Sequence, residues 1–99
     1  MAIDCNIYDY VEIACLYNLS VVAQLKDNSK VAGIATTTII KLIEHNDPAQ
    51  NSKREECIVL QTESGAKLDV VLSQIVSLTC LDDNPHFRTL NFISGTLSK

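Results

Sequence analysis

The chain has 99 residues, of which 46% are hydrophobic, and a formal net charge of −4 at pH 7. This length suits one domain spanning residues 1–99, and the hydrophobic fraction is too high for a disordered chain. The charge disfavours direct binding of nucleic acid, because neutralising phosphates takes clustered Lys and Arg, and only Lys53 and Arg54 are adjacent basic residues. An acidic chain is better suited to a basic partner.

Several further classes of protein are disfavoured. The apolar runs fall far short of the ~20 residues of a membrane span, and the acidic N-terminus lacks the basic region of a secretory signal, so a cytoplasmic protein without a membrane anchor is expected. No phosphate-binding glycine loop, HExxH or GxSxG motif occurs, which predicts a non-enzyme without a cofactor. The four cysteines form no CxxC or CxxH pair, so we expect reduced, structural thiols and no metal site.

The first predicted element is a short amphipathic helix over residues 7–17. Asn6 is a favourable N-cap with Asp9 three residues later, close to a capping box, and Asn18 is a favourable stop. Apolar side chains at helical spacing form the stripe expected to face the core: Ile7, Tyr10, Val11, Ala14 and Cys15.

The other face of this helix mixes carboxylates with apolar side chains, namely Tyr8, Asp9, Glu12, Ile13 and Leu16. Mixed faces suit a protein contact, in which carboxylates pair with Arg or Lys and an aromatic ring anchors the partner. Each residue also has an ordinary explanation. Asp9 could cap the helix, Glu12 could be a solvated charge, and the two aliphatic side chains could be covered by strands. The residues alone leave both interpretations open.

The rest of the chain predicts antiparallel strands within 19–37 and 56–93. A tight turn at Asp27-Asn28 joins the first two strands, and Gly33 marks a bend or a close backbone approach. Residues 38–55 are assigned to a variable loop because HNDPAQNSKREE, which contains Pro48, has loop composition. The run TTIIKLIEH before it could instead extend the second strand or form a short helix. The fold class is therefore mainly β with one N-terminal α-helix, the sheet bending into a small antiparallel barrel or sandwich.

Three segments of the sequence together resemble a known family. They are Leu25-Lys26-Asp27, the GIAT run at 33–36, and the stretch ECIVLQTESGAKLDVVLSQI at 56–75. The most specific feature precedes them, the motif C-x-x-YD-x-[VL]-E-x-AC formed by Cys5, Tyr8, Asp9, Val11, Glu12, Ala14 and Cys15. This combination resembles the Rho-binding antiterminators called Rof or YaeO.

The resemblance implies an Sm-like fold and a bacterial cytoplasmic protein that inhibits Rho-dependent transcription termination. It implies binding to the hexameric termination factor Rho, at the primary RNA-binding site in its N-terminal region, by a monomer that needs no cofactor. The positions matching the family's helix contacts are Tyr8, Asp9 and Glu12. A loop contact before the third strand matches Lys53 and Arg54.

Two other functions are compatible with the sequence. An Sm-like RNA-binding regulatory module would share the fold, but it would need a basic patch and a steep dependence on salt. A cysteine-based metal or redox sensor would need the cysteines to converge in space.

Overall fold

The computed structural model describes residues 5–43 and 53–98. In this part of the chain one helix precedes seven strands, which confirms a mainly β fold with an N-terminal helix. A single turn of 3₁₀ helix, Leu72–Gln74, joins the fourth and fifth strands. The elements are α1 (Cys5–Leu16), β1 (Ser20–Leu25), β2 (Lys30–Ile43), β3 (Lys53–Gln61), β4 (Lys67–Val71), β5 (Ile75–Cys80), β6 (Thr89–Asn91) and β7 (Thr96–Ser98).

The strands form one antiparallel sheet in the order β4-β3-β2-β1-β5-β6-β7, and this order requires a strong bend. In a flat sheet β4 and β5 would lie about 19 Å apart, four spacings of ~4.8 Å. The chain takes four residue steps from Val71 at the end of β4 to Ile75 at the start of β5, which span only about 8 Å at the 3₁₀ rise of about 2 Å per residue. The sheet must therefore curl to bring the end of β4 to the beginning of β5. It does not close into a barrel in the described residues, where β4 and β7 are its edges.

Two local features of β2 contribute to this bend. A Cβ added at Gly33 would lie 2.9 Å from the carbonyl oxygen of Gln61 and 3.1 Å from the Cβ of Leu60, so only glycine allows β3 to approach this closely. The pairing register with β3 then shifts between Ala35 and Thr37, which is a β-bulge. The predicted close backbone approach at Gly33 is confirmed.

The hydrophobic core lies between the helix and the bent sheet. The predicted inner stripe of α1 is confirmed, because Ile7, Val11 and Ala14 are buried and Tyr10 and Cys15 pack against the core while partly exposed. The sheet supplies alternate side chains to the same core, among them Val21, Ala23, Ile58, Leu60, Leu78 and Leu90. Burial of this stripe is what holds a helix of only three turns in place.

The segment at 38–55 is shorter as a loop than its assignment, and of the alternatives for its first residues the strand extension is the one observed. β2 continues to Ile43 and β3 begins at Lys53, and these ends pair with each other, Leu42 opposite Arg54. The reason is the β-branched composition of TTIIKLI, whose strand propensity is realised once β3 supplies a partner. Residues 44–52 of the predicted loop lie outside the described residues.

The C-terminal prediction also needs correction. The predicted strands end by residue 93, whereas the structure has a short β6 at Thr89–Asn91 and then β7 at Thr96–Ser98 as the edge of the sheet. Between β6 and β7, the side chain of Asn91 accepts hydrogen bonds from the backbone N–H groups of Ile93 and Ser94. Gly95 adopts a φ of 70°, which a turn favours in glycine. This turn ends β6 at Asn91 and separates it from β7.

Candidate functional site

The N-terminal end of α1 differs from the prediction in a way that matters for the site. The helix begins at Cys5, so Asn6 lies inside it and is not the N-cap. The first turn contains no acidic residue, and Asp9 lies in the second turn. Because capping acts within the first turn, Asp9 has no capping role, and its carboxylate needs another explanation.

The C-terminal end of α1 is fastened by Asn18, as predicted. Asn18 adopts a φ of 50°, and its N–H donates to the carbonyl of Cys15 (3.2 Å) while Leu19 N–H donates to that of Ala14 (3.0 Å). This is the Schellman pattern, with asparagine at the left-handed position. The Asn18 side-chain amide also donates to the carbonyl of Ala35 on β2 (3.0 Å), which ties the helix end to the sheet.

A loop between β5 and β6 supports α1 from the side, and Asn84 organises it. The Asn84 side-chain oxygen accepts from the N–H groups of His86 (2.8 Å) and Phe87 (3.1 Å). Its amide nitrogen donates to the carbonyls of Asp82 and Phe87, both at 3.2 Å, and to the Cys80 sulfur at 3.1 Å. One side chain thus fixes the path of the loop.

Two aromatic contacts join this loop to the helix. Phe87 packs edge-on against Tyr10 with ring centroids 5.9 Å apart, and His86 stacks on Tyr17 at 5.4 Å. Tyr10 lies within α1 and Tyr17 directly follows its last residue, so the loop contacts the middle of the helix and its C-terminal end. The helix is therefore held by the sheet beneath it and by the loop beside it.

The outward face of α1 carries Asp9 and Glu12, both exposed. Within residues 5–43 and 53–98, neither carboxylate makes a hydrogen bond or an ion pair. Tyr8 is half-buried and packs against the core, so its ring is held beside them. Leu16 lies one turn beyond Glu12 and is 73% exposed. We call these four residues the helix surface.

Lys53 and Arg54 lie in a different setting from the predicted loop. Both belong to β3, at its first two positions, with their backbones opposite Ile43 and Leu42 of β2. Arg54 is exposed, and no hydrogen bond or ion pair joins it to the helix surface in the described part of the chain.

The cysteines that the structure describes are unreactive in character. Cys15, Cys57 and Cys80 are free thiols. Burial, and secondarily the charge of Glu12, raises the pKa of Cys15 to about 11, and burial likewise raises the pKa of Cys57 and Cys80. In residues 5–43 and 53–98, no three His, Cys, Asp or Glu side chains lie close enough to hold a metal ion. Cys15, predicted on the inner stripe of the helix, packs against the core and is half-buried.

No helix in the described ranges is long and apolar enough to cross a membrane. The sequence did not single out Tyr17, which is exposed, or His86, which is half-buried and stacks on it. Helical spacing placed Leu16 on the face away from the core, where the structure leaves it exposed.

Comparison with known proteins identifies the family. Residues 2–92 match the family model for the modulator of Rho-dependent transcription termination (ROF). The chain is also similar to the solved structure of YaeO bound to magnesium from Vibrio cholerae O395, with 32% sequence identity and a TM-score of 0.68 over 86% of this chain and 96% of that one. No curated protein matches the chain. As its N-terminal motif indicated, the chain belongs to the ROF family, a regulatory rather than an enzymatic family of modulators of Rho-dependent transcription termination.

Proposed function

We propose that this chain inhibits Rho-dependent termination by binding Rho and denying RNA its primary binding site. The partner is the hexameric Rho of the bacterial cytoplasm, contacted at its N-terminal RNA-binding region, and the result is antitermination. The chain acts as one Rho-binding domain, a monomer being the binding unit, and does not itself bind nucleic acid. Membership of the ROF family supports Rho as the partner.

The observation that carries the proposal is the pair of unpartnered carboxylates on the helix surface. Asp9 and Glu12 have no hydrogen bond or ion pair in the described residues, and they do not cap the helix. An RNA-binding site presents Arg and Lys to phosphates and apolar or aromatic surfaces to bases. Two carboxylates can pair with the basic groups, since Arg and Lys bind carboxylate as readily as phosphate.

The apolar part of the helix surface matches the same kind of site. Tyr8 is held against the core, so little side-chain entropy is lost when a partner contacts its exposed edge. Leu16 is 73% exposed and lies on the same stripe as Asp9 and Glu12, at i+7 and i+4. Exposed apolar groups ringed by charge are typical of protein contacts.

Lys53 and Arg54 are a second proposed contact. They are the first two residues of β3, and the exposed Arg54 lies opposite the exposed Leu42 of β2. Their charge is opposite to that of the helix surface, so they would pair with acidic groups of Rho bordering the RNA site.

The alternative function, an Sm-like RNA-binding module, makes a different prediction. RNA binding requires clustered basic side chains, and the chain carries a net charge of −4 with the basic residues scattered apart from Lys53 and Arg54. We therefore expect negligible binding of a generic single-stranded RNA at physiological salt. Sub-micromolar RNA binding by the purified chain would favour the RNA-binding module instead.

The experiment that tests the proposal is charge reversal at the helix surface. Glu12→Lys should weaken binding to purified Rho at least ~30-fold, because breaking a desolvated charge pair costs about 2–5 kcal/mol. The thermal melt should not change, since Glu12 has no partner within the described residues. Asp9→Lys should behave alike, because Asp9 lies beyond the first helical turn.

The matched control is Glu63→Lys, which makes the same change of charge at an exposed residue of the β3–β4 turn. It should bind Rho like the wild-type chain, apart from a small, salt-screened effect of net charge. If Glu12→Lys binds like Glu63→Lys while both fold normally, α1 is not the contact, and charge reversal of Lys53 and Arg54 becomes the next test.

A further inference from the structure

The outer halves of β2 and β3 form a two-stranded arm, and among the described residues its β2 edge is paired with no other strand. We define the β2–β3 arm as residues 38–43 and 53–58, which pair from Thr38–Ile58 to Ile43–Lys53. The ladder between β1 and β2 ends at Ile34, and the one between β3 and β4 ends at Cys57. In the part of the chain that the structure describes, no third strand pairs with either edge of the arm beyond these points.

The two edges of the arm differ in chemistry. The edge formed by β3 begins with the charged run KREE at 53–56, and charge is the usual protection of an edge strand against pairing. The edge formed by β2 reads TIIKLI at 38–43, with a single charge at Lys41. Lys41 forms an ion pair with Asp69 of the same chain at 3.4 Å. The β2 edge is therefore left with little protection.

The side chains along the β2 edge are also unusually exposed. Ile40 is 62% exposed and Leu42 is 63% exposed, and alternation in a strand puts both on one face of the arm. Ile39 is 37% exposed on the other face. An exposed, β-branched edge with unpaired backbone groups is a template for strand addition.

We propose that the free edge of β2 pairs antiparallel with the same edge of a second copy of the chain. The two-fold axis passes at Ile40, so that Ile40 meets Ile40 of the other copy. Thr38 then lies opposite Leu42, and Ile39 opposite Lys41. The result is a continuous four-stranded sheet, β3-β2-β2-β3, across the two copies.

A second copy fits this edge because the segment is complementary to itself. In this register no like charges lie opposite each other, since each Lys41 faces Ile39, and the exposed isoleucines and leucines cover one another. The arm also lacks the acidity of the whole chain. The arm has three basic residues, Lys41, Lys53 and Arg54, and two acidic residues, Glu55 and Glu56. Electrostatic repulsion between copies is therefore weakest here.

The dimer should be weak. A strand of about six residues from each copy buries less than the ~1,200 Å² of a standard interface. We therefore expect a monomer at low concentration and dimers only at high concentration. The proposal does not depend on Rho binding, and either one can fail while the other holds.

Sedimentation velocity of the purified chain tests the proposal. Between about 10 µM and 1 mM, the range suited to a small interface, the sedimentation coefficient should rise with concentration. Ile40→Lys puts two like charges on the two-fold axis and should raise the dimer dissociation constant at least tenfold. The matched control is Ile93→Lys, which changes an isoleucine of similar exposure (59%) away from the arm and should dimerise like the wild-type chain.

The register has its own test at Ile39. Ile39→Glu places a carboxylate opposite Lys41 of the other copy and should preserve or tighten the dimer, whereas Ile39→Lys should weaken it. Circular dichroism melts should show all four variants folded, because each substituted side chain is exposed. A wild-type chain that stays monomeric to about 1 mM, or equal dimerisation of Ile40→Lys and Ile93→Lys, would overturn the proposal.

Discussion

Replacing Asn18 tests how α1 is held in place. In Asn18→Ala, alanine must adopt the left-handed φ of 50°, which costs about 1–2 kcal/mol for a residue with an ordinary Cβ. The substitution also removes the hydrogen bond from the side-chain amide to the carbonyl of Ala35, which contributes about 0.5–1.5 kcal/mol. The free energy of unfolding should therefore fall by about 1.5–3.5 kcal/mol.

The comparison with Asn18→Gly separates the two contributions. Glycine accepts positive φ without strain, so this variant loses the hydrogen bond and some unfolded-state advantage but avoids the strain. We expect its stability to lie between those of the wild-type chain and Asn18→Ala. Urea titration gives the free energies, and the melting temperature of Asn18→Ala should fall by about 6 °C or more, since each kcal/mol corresponds to about 4–8 °C in a domain of this size. An alanine variant as stable as the wild type, or a glycine variant less stable than the alanine one, would refute this account of the helix end.

Three further predictions concern the sheet, the first hairpin and a thiol. Gly33→Ala should destabilise the chain by about 1–3 kcal/mol, because its Cβ would meet the Gln61 carbonyl oxygen at 2.9 Å; an unchanged thermal melt would contradict this. Hydrogen bonds from Ser29 lower the pKa of Asp27, so the stability they provide is present above the ordinary carboxyl pKa and is lost as pH falls through the lowered value. Ser29→Ala should raise that pKa in an NMR titration, and identical titration curves would count against the interaction. The Cys15 pKa of about 11 predicts alkylation at neutral pH on the order of a hundredfold slower than for a thiol of pKa 9.0, measurable by peptide mapping, and rapid labelling would disprove it.

Features set by neighbours in the sequence were predictable. The inner stripe of α1, the stop at Asn18 and the Asp27-Asn28 turn follow from helical spacing and from the tolerance of asparagine for positive φ. The bend at Gly33 was also indicated, because glycine inside a strand marks a close backbone approach.

Features set by distant partners were not predictable. Whether 38–43 continues the strand depends on its pairing with 53–58, so the sequence alone left strand, helix and loop open there. The exposure of the helix surface depends on which side of α1 the loop at 82–87 packs against. That loop is more than sixty residues away from α1 in the sequence. Helical periodicity identified two faces of α1, but only the tertiary contacts show that Asp9 and Glu12 have no partner in the described residues and that Leu16 is uncovered.

The order of strands has a consequence for how the chain folds. β2, β3 and β4 are successive neighbours, whereas β1 pairs with β5 across more than fifty residues, as in Val21 opposite Cys80. Once the hairpins form, the 3₁₀ turn places β5 next to β1. Most of the conformational entropy that this long-range pairing costs has then already been lost in forming the hairpins. Substitutions in the β3–β4 turn should then slow folding, and those in the β1–β5 ladder should mainly speed unfolding, as chevron plots would measure. If ladder variants slowed folding more than turn variants, the long-range pairing would have to form first.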